Sequence, residues 1–295
     1  MARSMWDTVK QYMDERHILC RPLPLSACAV RQPYLLERAG LSPDGNGTVF
    51  MLAVPYLTTR DALDPSRNVS VYAVPRDYHL FFKSLSEDLL PLLKREFPAC
   101  TAALFADHSP IAEIEAACAA GLGDVGLNGL LLTPEYGSFV FLGELITDVS
   151  YHEAVGTDVA NSMPPAPTLC TTCGLCRKAC PMGCGESRDA CLSALTQKKG
   201  ILSKDEQVLL AKHPLVWGCD TCQTVCPVNR RILSQGVDTP IPFFKEDRLV
   251  HLTAEDIAGM TDEVFSTRAF SWRRRDTILR NLSIQSKNSN EGGTP

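Results

Sequence analysis

Nine of the thirteen cysteines in this 295-residue chain lie between Cys170 and Cys226, and this concentration constrains the fold more than any other feature. The first cysteines of the segment form the run C-x2-C-x2-C-x3-C-P, and the last ones form C-x2-C-x3-C-P. Runs with this spacing that end in Cys-Pro are typical of loops that hold 4Fe–4S clusters. The second run lacks its first cysteine, which Cys191 can supply.

In two-cluster iron–sulfur proteins the last cysteine of each run binds the other cluster, so the sequence predicts two 4Fe–4S clusters with crossed ligation. The two predicted ligand sets are Cys170, Cys173, Cys176 and Cys226, and Cys180, Cys191, Cys219 and Cys222. Cys184 is surplus and is expected to be a free thiol, with substitution for Cys191 as the alternative. Pairs of the form C-x2-C also make structural zinc sites, but the two Cys-Pro endings favour iron–sulfur.

The overall composition excludes several classes of protein. With 45% hydrophobic and 21% charged residues, the chain is too apolar to be mainly disordered. A formal charge of -5 excludes a whole-molecule positive field, so a nucleic-acid partner requires a local basic patch. The start lacks a signal-type apolar stretch and no 18-residue apolar run occurs, which predicts a cytoplasmic protein without a membrane partner. Reduced thiols in that compartment favour metal binding over disulfides.

The first half of the chain alternates between two kinds of apolar pattern. Short apolar runs typical of buried strands occur at residues 48–54, 69–74, 101–106 and 138–146. Helical periodicity is found at residues 6–13, after Asp77, and at residues 111–120. This alternation predicts an α/β domain.

Prolines at positions 164, 165 and 167 indicate a linker, and we place a domain boundary near residue 166. The cysteine segment beyond it is expected to be a ferredoxin-like α+β module. The predicted organisation is an α/β domain at 1–165, the two-cluster module at 166–235, a short helical segment at 236–284 and a disordered tail at 285–295.

A glycine motif in the first half invites a nucleotide-binding interpretation. Gly121, Gly123 and Gly126 satisfy G-x-G-x-x-G, which in dinucleotide-binding folds follows a strand and precedes a helix. Here the predicted order is reversed, with a helix before the glycines and the strand-like LLLT after them, so a nicotinamide site is not favoured. We expect the glycines to permit close backbone approach to a flat group.

Six separated motifs follow one another over residues 48–284: VPY, SVYAVPRDYH, ADHSP, AGLGDVGLNGLLL, GSFVFLGELITD and GCDTCQTVCPVNRR. Taken in this order, they resemble the cobalamin-dependent epoxyqueuosine reductases. The resemblance implies a cobalamin-binding α/β domain and a two-cluster module that reduces the cobalt. The implied reaction is removal of the epoxide oxygen from epoxyqueuosine in tRNA, the last step of queuosine synthesis.

The resemblance also implies roles for particular residues. Asp107 in ADHSP matches the family's proton-donating aspartate, and Asp77 in RDYH matches a second acidic residue of the substrate pocket. Ser70, Leu131 and Leu142 fall in segments that contact the corrin, the leucines through their backbone. Independently of the family, opening an epoxide leaves an alkoxide that must collect a proton, so an acid is needed beside the metal. Burial against the corrin is expected to raise the pKa of Asp107.

The chain departs from the family pattern in several places. Asp124 and Leu127 stand where typical members carry Trp and Lys, and TPEYGS after the glycine loop is similar to the reductive dehalogenases. The chain stops soon after Arg280 and Asn281, where most members continue into helical repeats that help to bind tRNA. A basic edge is the candidate replacement for tRNA contact, formed by Arg230, Arg231, Arg273, Arg274 and Arg275.

The sequence therefore predicts an oxidoreductase in which an external low-potential donor passes electrons through two clusters to cobalamin. Epoxyqueuosine in tRNA is the favoured substrate. The alternatives are a corrinoid-dependent reductase of another small molecule, such as an organohalide, and a non-catalytic electron-transfer or corrinoid-reactivating protein. His79 lies at a helix start, where a lone histidine is more often a surface or packing residue, and it is not assigned as a cobalt ligand.

Overall fold

The computed structural model describes residues 3–156, 165, 167–183 and 191–291, and it divides into two compact units. The first unit comprises Met1–Tyr56 and Tyr78–Thr172, and the second comprises Leu57–Asp77 and Cys173–Pro295. The prediction of one continuous segment up to residue 165 was wrong in this respect, because Leu57–Asp77 belongs with the cysteine-rich half. Of the three prolines of the predicted linker, Pro164 lies outside the described residues, as do residues 157–163 and 166.

The first unit is built on a four-stranded sheet with strand order β1-β2-β6-β3. The strands of this unit are β1 Leu19–Pro24, β2 Thr48–Pro55, β3 Ala102–Phe105, the short pair β4 Asp124–Val125 and β5 Leu131–Leu132, and β6 Val140–Thr147. Strand β2 lies in the interior of the sheet between β1 and β6 and is buried along its whole length, which explains its continuous apolar sequence. The expected strands at 48–54, 101–106 and 138–146 are confirmed.

All pairings in the four-stranded sheet are antiparallel. Alternating strands and helices are typical of α/β domains with parallel sheets, so the predicted class was only partly right. Helices do accompany the sheet: Met5–Asp14, Pro33–Arg38, Tyr78–Glu96, Glu113–Ala119 and Tyr151–Val155. The first begins at a capping box formed by Ser4 and Asp7 and buries Trp6, Val9 and Met13, as its periodicity predicted.

The apolar run at 69–74 is buried but does not form a strand of the sheet. Residues Val71–Ala73 form a turn of 3-10 helix within the second unit. Val69 makes a single parallel bridge with Trp217, and both pack in one core cluster with Phe270 and Ile278. An apolar run of six residues predicts that the segment is buried. Whether the segment also pairs as a strand depends on residues far along the chain.

The second unit consists of short helices joined by loops. Its helices are Thr59–Ala62, Leu175–Ala179, Leu192–Thr196, Lys204–Lys212, Thr221–Thr224, Pro227–Ser234, Ala254–Gly259, Asp262–Ser266 and Arg274–Glu291, with 3-10 turns at Val71–Ala73, Pro242–Lys245 and Ser271–Arg273. Across 167–183 and 191–235 no strand is assigned, so the α+β description of the cluster module was wrong for that part.

The predicted helical C-terminal segment is confirmed by the three helices between Ala254 and Glu291. The predicted disordered tail was wrong at its start, because the last helix continues from Arg274 to Glu291. Residues 292–295 lie outside the described part of the chain. Among the residues described, no helix combines the length and apolar character needed to cross a membrane.

Candidate functional site

The two cysteine runs are bent by residues in the left-handed backbone region. Thr172 and Gly174, with φ of 51° and 72°, flank Cys173, and Gly218, with φ of 75°, precedes Cys219. A short helix follows each turn: Leu175–Ala179 carries Cys176, and Thr221–Thr224 carries Cys222. These two helices pack against one another, so the two halves of the array meet.

All eight predicted ligand cysteines lie outside any disulfide bond, and they are half-buried except for the exposed Cys173. Burial raises the pKa of Cys219, a hydrogen bond to Thr221 lowers it, and the charges of Asp220 and Cys191 raise it further. Among the described residues no three His, Cys, Asp or Glu side chains form a metal-binding group, and the crossed ligand sets stay a prediction. The alternative ligand Cys184 lies outside the described residues.

Thiols at these positions fit iron–sulfur clusters in their donor chemistry. Thiolates are the usual ligands of such clusters, and half-burial leaves them accessible to an entering metal. Outside the array, burial raises the pKa of the Cys28 thiol to about 12 and also raises that of Cys20 and Cys100, the same direction as for Cys219. These three cysteines lie outside the spaced runs, and they are simplest as small, largely apolar packing residues.

A buried ionic network lies directly beside the second cysteine run. Asp220, only 2% exposed, accepts hydrogen bonds from Arg67 Nη1 at 2.7 Å, from the Val71 N–H at 3.0 Å and from the Ser70 hydroxyl. The Ser70 N–H donates to the Trp217 carbonyl at 2.7 Å. This network attaches Leu57–Asp77 to the cluster loop within the second unit, and sequence reasoning missed it. An acidic residue between two ligand cysteines was the available signal.

Ser70 was predicted to contact the corrin, and its surroundings limit how it would do so. It is 1% exposed, and both its hydroxyl and its N–H are already used inside the second unit. Gly218 faces it so closely that a Cβ added there would lie 2.3 Å from the Ser70 Cβ. Ser70 is therefore foremost a residue that packs the cluster loop, and its cofactor role stays a prediction.

Asp107 lies in the loop after β3 with a φ of 64°, a left-handed conformation that is uncommon for residues other than glycine. Its Oδ2 lies 3.6 Å from Nε2 of His79, at the start of the helix Tyr78–Glu96. Both side chains are more than half exposed. The structure thus joins Asp107 to His79, a residue that the sequence analysis left unassigned although it lies in the same DYH motif as Asp77.

The pKa of Asp107 is lowered in the protein chain alone, while the rise expected from burial against a corrin stays a prediction. The hydrogen bond with His79 is the main cause, partial burial opposes it, and the charge of His79 and a hydrogen bond from Tyr78 lower the pKa further. In the protein chain itself this carboxyl is therefore ionised at neutral pH. Local partners outweigh burial because most of the side chain remains in contact with water.

A row of aromatic rings leads to the Asp107–His79 pair. The ring of Phe141 lies 4.4 Å from that of Tyr56 and stacks on Tyr78 at 4.2 Å with an interplanar angle of 13°. The Tyr78 ring lies 4.2 Å from the His79 ring. The rings come from the residue that follows β2, from β6 and from the start of the long helix, and they give the acid site a flat apolar wall.

The remaining predicted residues have their own contacts within their units. Leu131 is 3% exposed in β5 and Leu142 is half-buried in β6, and both side chains pack in the same core cluster of the first unit. Any contact of either leucine with a corrin would be made by its backbone, as predicted. Asp77 ends the segment Leu57–Asp77 of the second unit, and its N–H donates to the Thr267 carbonyl at 2.8 Å.

The glycine loop has the order that the sequence predicted, with the helix Glu113–Ala119 before it and β5 after it, while β4 lies within the motif between Gly123 and Gly126. The structure gives a reason for glycine at position 123 that differs from the expected approach of a flat group. A Cβ at this position would lie 2.1 Å from the Leu132 carbonyl oxygen, so the glycine allows the two strands of the hairpin to approach. The close backbone approach at Gly123 is thus to the chain itself.

A buried carboxyl pair lies behind the Asp107 loop. Glu144, in β6, is fully buried and accepts a hydrogen bond from the Ser109 hydroxyl at 2.5 Å. Burial, and then the charge of Glu113, raise the pKa of Glu144 well above its usual value. Ser109 follows Asp107 by two residues, so the pair anchors the acid loop. The signal in the sequence was one carboxyl within the apolar run FVFLGELI.

Replacing Glu144 with glutamine is expected to reduce the pH dependence of stability. A carboxyl whose pKa is raised on folding contributes its full stability below the unfolded pKa of about 4.3 and loses it as pH rises toward the folded pKa. Between about pH 5 and about pH 8 the wild type should lose on the order of 1 kcal/mol or more relative to Glu144→Gln. Anaerobic denaturant titrations at both pH values test this, and parallel changes in the two proteins would contradict it.

The predicted basic edge is only partly available for a partner. Arg275 donates to the Met260 carbonyl at 2.7 Å and to Asp262 at 3.0 Å, and its guanidinium lies over the Phe265 ring. Arg273 lies 3.7 Å from the centroid of the exposed Trp272 ring. Arg275 is thus committed to packing within the second unit, which the sequence could not indicate.

The cysteine segment matches a known protein family. Residues 169–229 fit the model of the 4Fe–4S double cluster binding domain. This range includes all eight predicted ligands. Together with the geometry of the array, the match defines the chain as a double-cluster iron–sulfur protein.

The sequence beyond the cysteine segment also has known relatives. The chain is 34% identical over 220 residues to the epoxyqueuosine reductase of Listeria monocytogenes, a match that covers 70% of this chain and 54% of the relative. By sequence the chain is thus similar to the epoxyqueuosine reductases. It spans about half the length of that curated relative.

Solved structures of the same family share the fold. Epoxyqueuosine reductase from Streptococcus thermophilus superposes with a TM-score of 0.73 at 21% identity, covering 98% of this chain and 86% of that one. A structure of epoxyqueuosine reductase with an epoxyqueuosine-modified tRNA-Tyr stem loop gives 0.73 at 21% identity, covering 96% and 82%. The fold therefore extends through both units of the present chain.

Proposed function

We propose that this protein reduces epoxyqueuosine to queuosine in tRNA, with electrons that pass through two 4Fe–4S clusters to cobalamin. The observation that carries the proposal is the Asp107–His79 pair at the end of β3, an acid site beside an aromatic wall in a chain with a double-cluster segment. The family relationship supplies the substrate, since a relative is known with an epoxyqueuosine-modified tRNA stem loop. We assign the two crossed cysteine sets as the cluster ligands.

The residues of the first unit fit a corrin that would be held by contacts with the backbone. Leu131 and Leu142 direct their side chains into the core, which leaves backbone for contact with a large flat group. When bound, cobalamin would supply a metal centre that accepts single electrons and passes them to the substrate. Asp77 is proposed to line the substrate pocket, and Ser70 to stabilise the segment next to the cofactor.

The reaction sets requirements for the protein's acid groups. Removing an epoxide oxygen as water consumes two electrons and two protons. Because the pKa of Asp107 is lowered by His79, the carboxylate by itself carries no proton at neutral pH. We propose that Asp107 and His79 act as one unit, in which a proton held at His79 Nε2 is passed to the substrate through Asp107 Oδ2.

The partners follow from the same chemistry. The clusters transfer single electrons, so they need an external low-potential donor. Because the proposed substrate is tRNA, we assign the protein to the cytoplasm. Trp272 is 55% exposed with Arg273 stacked on it, and together they offer a surface suited to an RNA base. Arg230, Arg231 and Arg274 are exposed and supply positive charge for the phosphate backbone.

Anaerobic purification and reconstitution test the proposal. We expect about eight irons per chain, stoichiometric cobalamin and conversion of an epoxyqueuosine-modified tRNA stem loop when a chemical reductant is supplied. Full iron and cobalamin without turnover of the stem loop would contradict the tRNA assignment and favour a small-molecule reductase, to be checked with an organohalide. Full iron with no affinity for cobalamin would leave an electron-transfer protein.

A further inference from the structure

Asp124 connects the glycine loop to the beginning of the cysteine array. It is the first residue of β4, and its Oδ2 accepts the backbone N–H of Leu169 at 2.9 Å and that of Cys170 at 2.8 Å. The donors lie 45 and 46 residues further along the chain, and all three residues belong to the first unit. One carboxylate oxygen therefore holds the peptide that carries the first proposed ligand.

This contact bears on the electrostatics of any cluster that takes Cys170 as a ligand. Cluster potentials depend on net charge and on hydrogen bonds to the sulfur atoms. The two N–H groups are directed to Asp124, so their dipoles are not offered to a cluster sulfur. The carboxylate also places a negative charge within hydrogen-bond distance of the backbone of Cys170. Both effects disfavour adding an electron, because the reduced cluster carries one more negative charge.

We propose that Asp124 tunes the cluster bound by Cys170, lowering its reduction potential and so making it a stronger electron donor. The inference rests on the cluster ligation assigned under the proposed function. It does not require cobalamin or tRNA. Asp124 is a positioning residue here, since it acts on the cluster through the Cys170 backbone and through its charge.

The substitution Asp124→Asn separates tuning from simple attachment of the loop. Asparagine retains an oxygen that can accept the N–H groups and has nearly the same shape, but it lacks the charge. Asp124→Glu retains the charge. Asp148→Asn is the matched control, because Asp148 of the same unit also accepts a backbone N–H, from Thr101 at 2.9 Å, in a loop without cluster ligands.

The measurement is a redox titration of the reconstituted holoprotein followed by electron paramagnetic resonance, at one pH. At a fixed potential, Asp124→Asn should raise the ratio of reduced to oxidised protein about tenfold for one cluster, which is 59 mV for a one-electron couple. In Asp124→Asn the reduction potential of the other cluster should stay close to the wild-type value. In Asp124→Glu and in Asp148→Asn the potentials of both clusters should stay close to wild type.

Three results would overturn the inference. One is an unchanged potential in a fully loaded Asp124→Asn protein, and another is an equal shift in Asp148→Asn. The third is loss of iron from Asp124→Asn while Asp124→Glu stays loaded, which would make Asp124 an attachment point alone. Absence of clusters from the wild type would instead refute the proposed function, so the two failures are distinguishable.

Discussion

Asp107→Asn should lower turnover of an epoxyqueuosine-modified tRNA stem loop by about 10²- to 10⁴-fold, the usual contribution of a positioned proton donor. Asparagine fits the same left-handed backbone position, since Asn tolerates positive φ. The loop should therefore keep its conformation, while the group that relays the proton is removed. Single-turnover assays with pre-reduced protein measure the effect, and iron and cobalamin content should remain at wild-type values.

Two further variants define the role of Asp107. Asp44→Asn, at an exposed position of the same unit, is the matched control and should leave turnover unchanged. His79→Gln removes the main cause of the lowered Asp107 pKa. Asp107 should then titrate at higher pH, and the acidic limb of the pH–rate profile should move upward. A threefold or smaller effect of Asp107→Asn, or a pH profile insensitive to His79, would contradict the assignment.

Asp220→Ala should destabilise the protein by about 3–5 kcal/mol, because it leaves a buried guanidinium without its counter-charge. The side chains of Arg67 and Asp220 are only 9% and 3% exposed, and they lie 2.7 Å apart. Loss of the carboxylate also removes the acceptor of the Ser70 hydroxyl and of the Val71 N–H. Anaerobic denaturant unfolding of the holoprotein, with iron measured in parallel, gives the free energy.

The control for this prediction is an ion pair of the same kind on the surface. Lys10 and Asp14 are each more than half exposed, and Asp14→Ala should cost about 1 kcal/mol or less. The double variant Arg67→Met with Asp220→Ala removes the stranded charge and should recover part of the lost stability. A loss below about 1 kcal/mol for Asp220→Ala, or no recovery in the double variant, would show that the buried pair does not stabilise the cluster loop.

Patterns within a short stretch of sequence were predicted well. The helix at residues 6–13 and the long helix after Asp77 follow from apolar spacing, since one face of each is buried. The strand at 48–54 follows from an uninterrupted apolar run. The run at 69–74 is also mostly apolar, but it contains a 3-10 turn and pairs only through a single bridge with Trp217. It is buried by residues of the second unit and not by neighbouring strands of the sheet.

In the candidate site, too, some features were predicted from the sequence and others were not. The cysteine spacing by itself indicated two clusters, and the double-cluster family model matches that segment. The partner of Asp107 was not predicted, because His79 lies on another element. In the chain alone the interaction with His79 outweighs burial and lowers the Asp107 pKa, and the rise expected against a corrin stays a prediction. Glu144 was missed because its neighbours Ser109 and Glu113 come from other segments.

The sequence by itself determined the chemistry of the cysteine segment and the family that the chain resembles, since both depend on residue types at short, fixed spacings. Only the tertiary structure decided which polar groups meet. Asp124 reaches a backbone N–H 46 residues away, and Asp220 reaches Ser70 across 150 residues. Such contacts depend on how the chain folds back on itself, and hydrogen bonds and charges act only over the few ångströms that folding creates.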